Sequence, residues 1–483
     1  MKYTFKYISN RIGEYPKDDM LEMCLNTLNT QTEKRFPHFY VLTLIKWTIL
    51  HGGKKYPAKR LTPENFAKIF NMVASFNEGH ISGFLKEKQI GKAFQIIHNQ
   101  QFYLQKHVSL SLFPTQLKLF GSTEGKYDIS QAFLSKTGLN VYDFVYLGQL
   151  FWMTFNANKL GVELFSFNGY IDNNLVQLML EAVPEAKLRK FIKLLLLHPH
   201  NAESAIESYR HRLKNPDFQT LEMSFLTLHP FMFLKNHVRL IHPSLFDYTM
   251  NYFIYDFLKA NDDNFTTEFG NRLERYVGLG LKEIGAKFET EGQLRRRLKE
   301  SKNQVDYWLP NDDIYIEVKA TEMQAYPSVN PTDELIYNSL KSSIFKAYFK
   351  QIVPVSKELN PYDENWGIIV TFKEFFYGTM AALANTTNNF NENNDSIDHI
   401  PPVNVFIIDL YTWDNLIRIV KSGQSTLLDI LKLAKNNNTK PETSKLLFYM
   451  HLESFQLDSD VQMSFLSSEK SRLNIKKAND WSE

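Results

Sequence analysis

From Glu14 to about Lys214 the chain repeats one pattern, apolar side chains three and four positions apart with polar residues between them. That period predicts amphipathic helices. EYPKDDMLEMCLNTL (Glu14–Leu28), HFYVLTLIKWTILHGG (His38–Gly53) and LTPENFAKIFNMVASFNE (Leu61–Glu78) carry it, the last opening with the helix-start triplet Thr62-Pro63-Glu64. DISQAFLSKTG, NVYDFVYLGQLFWMTFNANKL, DNNLVQLMLEAV, EAKLRKFIKLLLLHP and AESAIESYRHRLK continue it. Between Met223 and Tyr248 the pattern turns to short strands and turns punctuated by Pro230 and Pro243, and a helix is expected from about Phe246 to Lys259.

The polar stretch Asn261-Asp262-Asp263-Asn264 breaks this pattern, and strand-like and helical runs alternate after it. A helix covers Glu268–Gly285, AKFETEG (Ala286–Gly292) reads as a strand, and Gln304–Ala320 reads as a hairpin. A helix then runs from about Asp333 to Ile352, WGIIVTF (Trp366–Phe372) is a buried strand, and VNVFIIDL is another, with Thr412 as the N-cap of the helix that follows. The expectation is a mainly helical region over residues 1–222, a connector of strand, turn and helix over 223–265, and an α/β domain with a mixed sheet flanked by helices over 266–483. The Asn-rich stretch Asn385–Ser396 reads as a loop, and the residues from about Ser468 as polar and loosely held.

Composition adds limits. With 483 residues the chain is too long for one typical core. A hydrophobic fraction of 43% and an aromatic fraction of 14% describe a folded chain rather than a disordered one. The single cysteine, Cys24, excludes an intramolecular disulfide and a Cys-based zinc site, which points to a reducing, cytoplasmic compartment. The first residues lack the apolar core of a secretory signal, and the longest apolar runs are too short to span a bilayer, so no membrane partner is expected. A net charge of +2 decides little, because a nucleic-acid binder needs local basic patches. LRRRLKESK supplies one, with Arg295, Arg296, Arg297, Lys299 and Lys302, and SYRHRLK (Ser208–Lys214) is a second.

The chemistry concentrates in QVDYWLPNDDIYIEVKA, Gln304 to Ala320. A four-residue turn, Pro310 to Asp313, sets Leu309 opposite Ile314, and the same register sets Asp306 opposite Glu317. Strand alternation points Ile314, Ile316 and Val318 one way and Tyr315, Glu317 and Lys319 the other. Two facing carboxylates repel, and a divalent cation between them removes the repulsion. Lys319 stands one pleat further on the same face. Two carboxylates and a lysine around one point suit metal-assisted phosphodiester cleavage. An exposed hairpin with weak surface ion pairs is the competing reading.

Asp306 followed by Glu317-Val318-Lys319 resembles the D…ExK signature of the PD-(D/E)xK nuclease superfamily. EFGNRLERYVGLGLKEIG (Glu268–Gly285) resembles the helix that opens that fold, and its Glu274 matches the acidic position that joins the metal site. The likeness covers about the C-terminal two-fifths of the chain, and Val305 stands where the family often has proline. The resemblance implies a restriction-endonuclease-like α/β core and hydrolysis of DNA or RNA with Mg²⁺, for which Mn²⁺ substitutes because the ligands are hard oxygens. It implies that Asp306, Glu317 and the Val318 carbonyl bind the ion. Glu274 holds a second ion or a metal-bound water, and Lys319 positions water or stabilises charge. Gln351, on the following helix, lies where relatives place a polar active-site residue. By analogy of architecture alone, restriction or antiviral defence in a bacterium is expected, with the helical region selecting substrate, binding a protein partner or regulating. A nuclease-like fold that binds without cutting, and a helical interaction scaffold, are the alternatives.

Other motifs carry less. The histidines of His198-Pro199-His200, His229, His237 and His242 match no zinc spacing and read as structural. HGGKK (His51–Lys55) reads as a helix C-cap rather than a phosphate loop.

Overall fold

The structure, a computed structural model, describes residues 3–29, 37–55, 59–86, 90–101, 110–123, 125, 127–157, 169–202, 218, 221, 225–298, 304–360, 364–387, 400–440, 442–456 and 461–474. The chain divides into two compact units. The first comprises Met1–Glu124, Asp128–Asp262 and Lys470–Glu483, and the second comprises Gly125–Tyr127 and Asp263–Glu469. The main division thus falls inside the polar break. The strands and helix of the expected connector sit in the first unit, as does the segment after Glu469.

The first unit is helical. Its helices include α1 (His38–His51), α2 (Val141–Phe155) and α3 (Pro243–Asn261). Helix α1 is buried on every side from Tyr40 to Ile49, Lys46 and Thr48 included, rather than along one face as an amphipathic spacing predicts. Asn140 caps α2 by accepting the Asp143 N–H at 2.7 Å. Thr62 caps its helix through the Asn65 N–H at 3.3 Å, and Gly53, at φ +69°, takes the left-handed turn after α1. A small sheet joins β1 (Leu196–Leu197), β2 (Phe231–Leu234) and β3 (His237–Leu240), the last two turning through Lys235 and Asn236 at positive φ. Helix α3 begins at Pro243, earlier than expected, because proline suits the first helical position and the His242 ring accepts the Ser244 N–H. Beyond Ser468 the described residues are not loosely held: Leu473 is buried and the Tyr142 hydroxyl donates to the Arg472 carbonyl at 2.9 Å. SYRHRLK and most of Asn385–Ser396 lie outside the described residues.

The second unit is built on a five-stranded mixed sheet, β4 (Glu289–Thr290), β5 (Tyr307–Leu309), β6 (Ile314–Lys319), β7 (Trp366–Thr371) and β8 (Val405–Asp409), in that order. The first three strands pair antiparallel and the last three parallel. The hairpin keeps the expected register: Leu309 pairs with Ile314, Trp308 with Tyr315 and Tyr307 with Ile316. Asp313 takes φ +49° to close the turn.

Helices cover both faces. Helix α4 (Phe265–Glu283) buries Phe269, Leu273 and Val277, one turn apart, and its Gly278 lies against the Tyr307 ring. On the other face lies a helical run from Asp333 to Leu359, here α6, after the short α5 (Glu291–Arg297). Run α6 is π-wound at Lys341–Phe345 and Ala347–Ile352 and α-helical at either end. Its Ile344, Tyr348 and Ile352 share one buried cluster with Tyr315, Ile369 and Ile407 of the sheet.

Two expectations are corrected here. AKFETEG is a strand only at Glu289–Thr290, because Thr290 and Gln293 form a capping box that starts α5 at once. Helix α7 (Leu410–Lys421) is capped by Asp409 rather than Thr412, and the Thr412 N–H donates to the Asp409 carboxylate at 3.0 Å.

Candidate active site

Central position decides the state of β6. Third of five strands and covered on both faces, it buries Ile314 through Val318 completely or nearly so. Glu317 is therefore 0% exposed, where an exposed hairpin would have left it in water. Lys319, one pleat on at the strand end, is partly exposed and ion-pairs with Glu317 Oε1. Gln351 of α6 reaches across the sheet face and donates to the same Oε1 at 2.6 Å, and to the Gln304 carbonyl at 3.1 Å. Glu317 Oε2 is buried with no hydrogen-bond partner among the described residues.

Asp306 directly precedes β5, continuing the register toward Glu317. Its Oδ2 accepts the Val318 N–H at 2.7 Å. A strand residue turns its N–H and C=O to the same edge, so the Val318 carbonyl also stands on the Asp306 side. Glu274 comes from α4, whose backbone is held to the hairpin by the Tyr307 hydroxyl donating to the Glu274 carbonyl at 2.9 Å. Gly278 is required for that approach, since a Cβ there would stand 2.5 Å from the Tyr307 oxygen.

The Asp306 charge acts on both of the other carboxyls. Burial, reinforced by the Asp306 charge, pushes Glu317 up to about 8 against the pull of Lys319 and Gln351. Burial raises Asp306 to about 6, opposed by Lys319 and the Val318 N–H. Burial, then the Asp306 and Glu291 charges, lifts Glu274 to about 7. Asp306, Glu317, Lys319 and Gln351 are thus brought together, with Glu274 within electrostatic reach of Asp306 and Lys319.

Among the described residues, no group of three or more His, Cys, Asp or Glu side chains is arranged to hold a metal ion. Oε1 of Glu317 is taken by Lys319 and Gln351, and Oδ2 of Asp306 by a main-chain N–H. The donor chemistry nevertheless fits a hard divalent cation. The oxygens are carboxylate and carbonyl, one of them is orphaned and buried, and the raised carboxyls are those a cation would return to their charged form.

The arginines of α5 are largely committed elsewhere. Arg295 pairs with Glu291 at 2.6 Å, and Arg297 pairs with Glu289 at 2.6 Å while its guanidinium lies 4.8 Å from the Trp308 ring centre. Arg296 donates to the Gly292 carbonyl of its own helix at 3.2 Å. Lys299 and Lys302 lie outside the described residues. Histidines serve structure: His200 meets Asp18 at 2.7 Å, His242 meets His38 at 2.9 Å, and burial depresses His229 to about 4. Sequence reasoning missed the Tyr307 hydroxyl and the Gln304 carbonyl, because neither a strand tyrosine nor a main-chain oxygen carries a motif.

No family model matches the chain, and no curated protein or solved structure matches it.

Proposed function

We propose that the second unit is a metal-dependent nuclease of the PD-(D/E)xK type that hydrolyses phosphodiester bonds of DNA or RNA. The observation that carries this reading is Glu317, a fully buried carboxyl on the central strand, next to Asp306, with a lysine and a glutamine closing on one oxygen and the other unpartnered. A charged group is expensive to bury, and a fold that merely needed a packed strand would place an apolar residue there.

Asp306, Glu317 and the Val318 carbonyl would hold Mg²⁺ or Mn²⁺. When bound, the ion supplies charge neutralisation at the phosphate and an activated water. Lys319, released from Glu317, turns its ammonium toward the scissile phosphate. Gln351 keeps Glu317 from rotating away. Glu274, raised to about 7, suits proton transfer or water orientation near neutral pH.

The test is incubation of the pure protein with Mg²⁺ or Mn²⁺ and a panel of DNA, total RNA and tRNA. Metal-dependent cleavage that Glu317→Gln abolishes supports the reading, and absence of cleavage across the panel overturns it. The specific observation favouring a fold that binds without cutting is the engagement of Glu317 by Lys319 and Gln351. Nucleic-acid binding with no cleavage under any divalent ion would establish that reading instead.

A further inference from the structure

Run α6 carries two rows of side chains that the site above does not use. Lys341, Lys346 and Lys350 are exposed, and among the described residues none is paired with a carboxylate. Regular α winding would set Lys341 and Lys346 roughly 140° apart around the axis. The wider π turn, with about 4.4 residues per turn, brings all three lysines within roughly 50° of one another. Lys341 and Lys350 lie within the two π-wound segments, and Lys346 is the single residue between them. Winding of this kind draws the three charges closer together around the axis than a regular helix would.

An aromatic row runs beside it. Tyr337 and Phe349 are half-buried, at the edge of the core cluster. The Tyr337 ring lies 5.0 Å from Phe345, Phe345 stacks 6.3 Å from Phe349, and the Lys341 ammonium sits 5.6 Å from the Tyr337 ring centre. Ammonium groups drawn together beside partly open aromatic faces suit one nucleic-acid strand, cations meeting phosphates and rings meeting bases. The arginines of α5, by contrast, spend their charge on Glu291 and Glu289.

We propose that this face of α6 is a binding platform for single-stranded DNA or RNA and feeds the strand to the Glu317 site, an inference that rests on the nuclease reading. The continuity is covalent: Lys350 is adjacent to Gln351, which holds Glu317.

The experiment measures anisotropy of labelled single-stranded DNA, single-stranded RNA and duplex DNA with the full chain, in chelator, across a salt series. The variant Lys341→Ala/Lys346→Ala/Lys350→Ala should keep the wild-type melting temperature, because these side chains are exposed. It should weaken single-strand binding at least about tenfold and reduce the slope of log K against log salt by about 2, as expected for three lost phosphate contacts at roughly 0.7 each. The triple Lys→Arg variant should bind like wild type, and Arg295→Ala/Arg296→Ala should change little. An unchanged slope in the folded alanine variant, or tighter binding of duplex than of single strands, overturns the platform. Glu317→Gln separates the two claims. If it cuts normally while the lysine variant loses binding, the active site is wrong and the platform stands. If it stops cutting while the lysine variant binds and cuts like wild type, the reverse holds.

Discussion

A carboxyl group cut off from water keeps its charge only where something nearby holds that charge, and Glu317 has a lysine and one amide on one oxygen and nothing on the other. Glu317→Gln keeps the volume and removes the charge. It should lower metal-dependent cleavage at least about 100-fold, roughly 3 kcal/mol of transition-state stabilisation, while the metal-free melting temperature holds or rises. Glu317→Ala is a poorer probe: the residue is fully buried, so truncation opens a void and strips Gln351 of its acceptor, costing about 1–3 kcal/mol. The pH dependence has a definite sign. Asp306, Glu274 and Glu317 are raised to about 6, 7 and 8 in the folded chain, above their unfolded values. Their contribution is fully present below the ordinary carboxylate range, about pH 4, and is lost as pH rises through 6 to 8. Melting of the metal-free protein should therefore fall over that window, with a shallower fall in Glu317→Gln and in wild type with saturating Mg²⁺. Identical slopes in wild type and variant would sink the assignment of a buried titrating charge.

The hairpin, α4 and α6 hold the site, and the first two meet at a glycine. Gly278→Ala would press a methyl group onto the Tyr307 hydroxyl and push the helix off the sheet. Overpacking of this kind costs about 1–3 kcal/mol, and Glu274 moves with its helix. Thermal melting and cleavage should both fall, and Tyr307→Phe in the same chain should recover part of the stability by removing the clashing oxygen. At this scale the sequence was legible where the signal was local. The register of Leu309 with Ile314 followed from turn length, and α4 from Phe269, Leu273 and Val277. Two further short-range signals stand in the sequence, the Thr290 and Gln293 capping box and the Asp409 cap. Burial of Glu317 was not legible. Alternation assigns a side chain to a face, and only the arrival of α6 and β7 decides whether that face meets water. The π winding of α6 was equally hidden, since its helical period looks ordinary.

At the scale of the whole molecule the units are interleaved along the chain. Gly125–Tyr127 belongs to the second unit, where the Tyr127 carbonyl accepts Arg272 at 3.0 Å beside the buried Glu268–Arg272 ion pair. A fragment spanning 263–469 lacks that acceptor. It should melt below the second unit of the full chain, by about 1–3 kcal/mol of lost stability, measurable by calorimetry or denaturant titration. An equal stability would show that the early segment contributes nothing. The same interleaving reaches the first unit, whose residue Arg472 accepts the Tyr142 hydroxyl and whose Leu473 is buried. On the ribosome this sets an order of events. Residues 125–127 emerge well over a hundred positions before the helix they support, and the first unit lacks part of its packing until residue 473 has been added. A nascent chain that has reached any point between residues 127 and 263 therefore holds neither unit finished. The chemistry proposed for the second unit would then wait until residue 469 has left the tunnel.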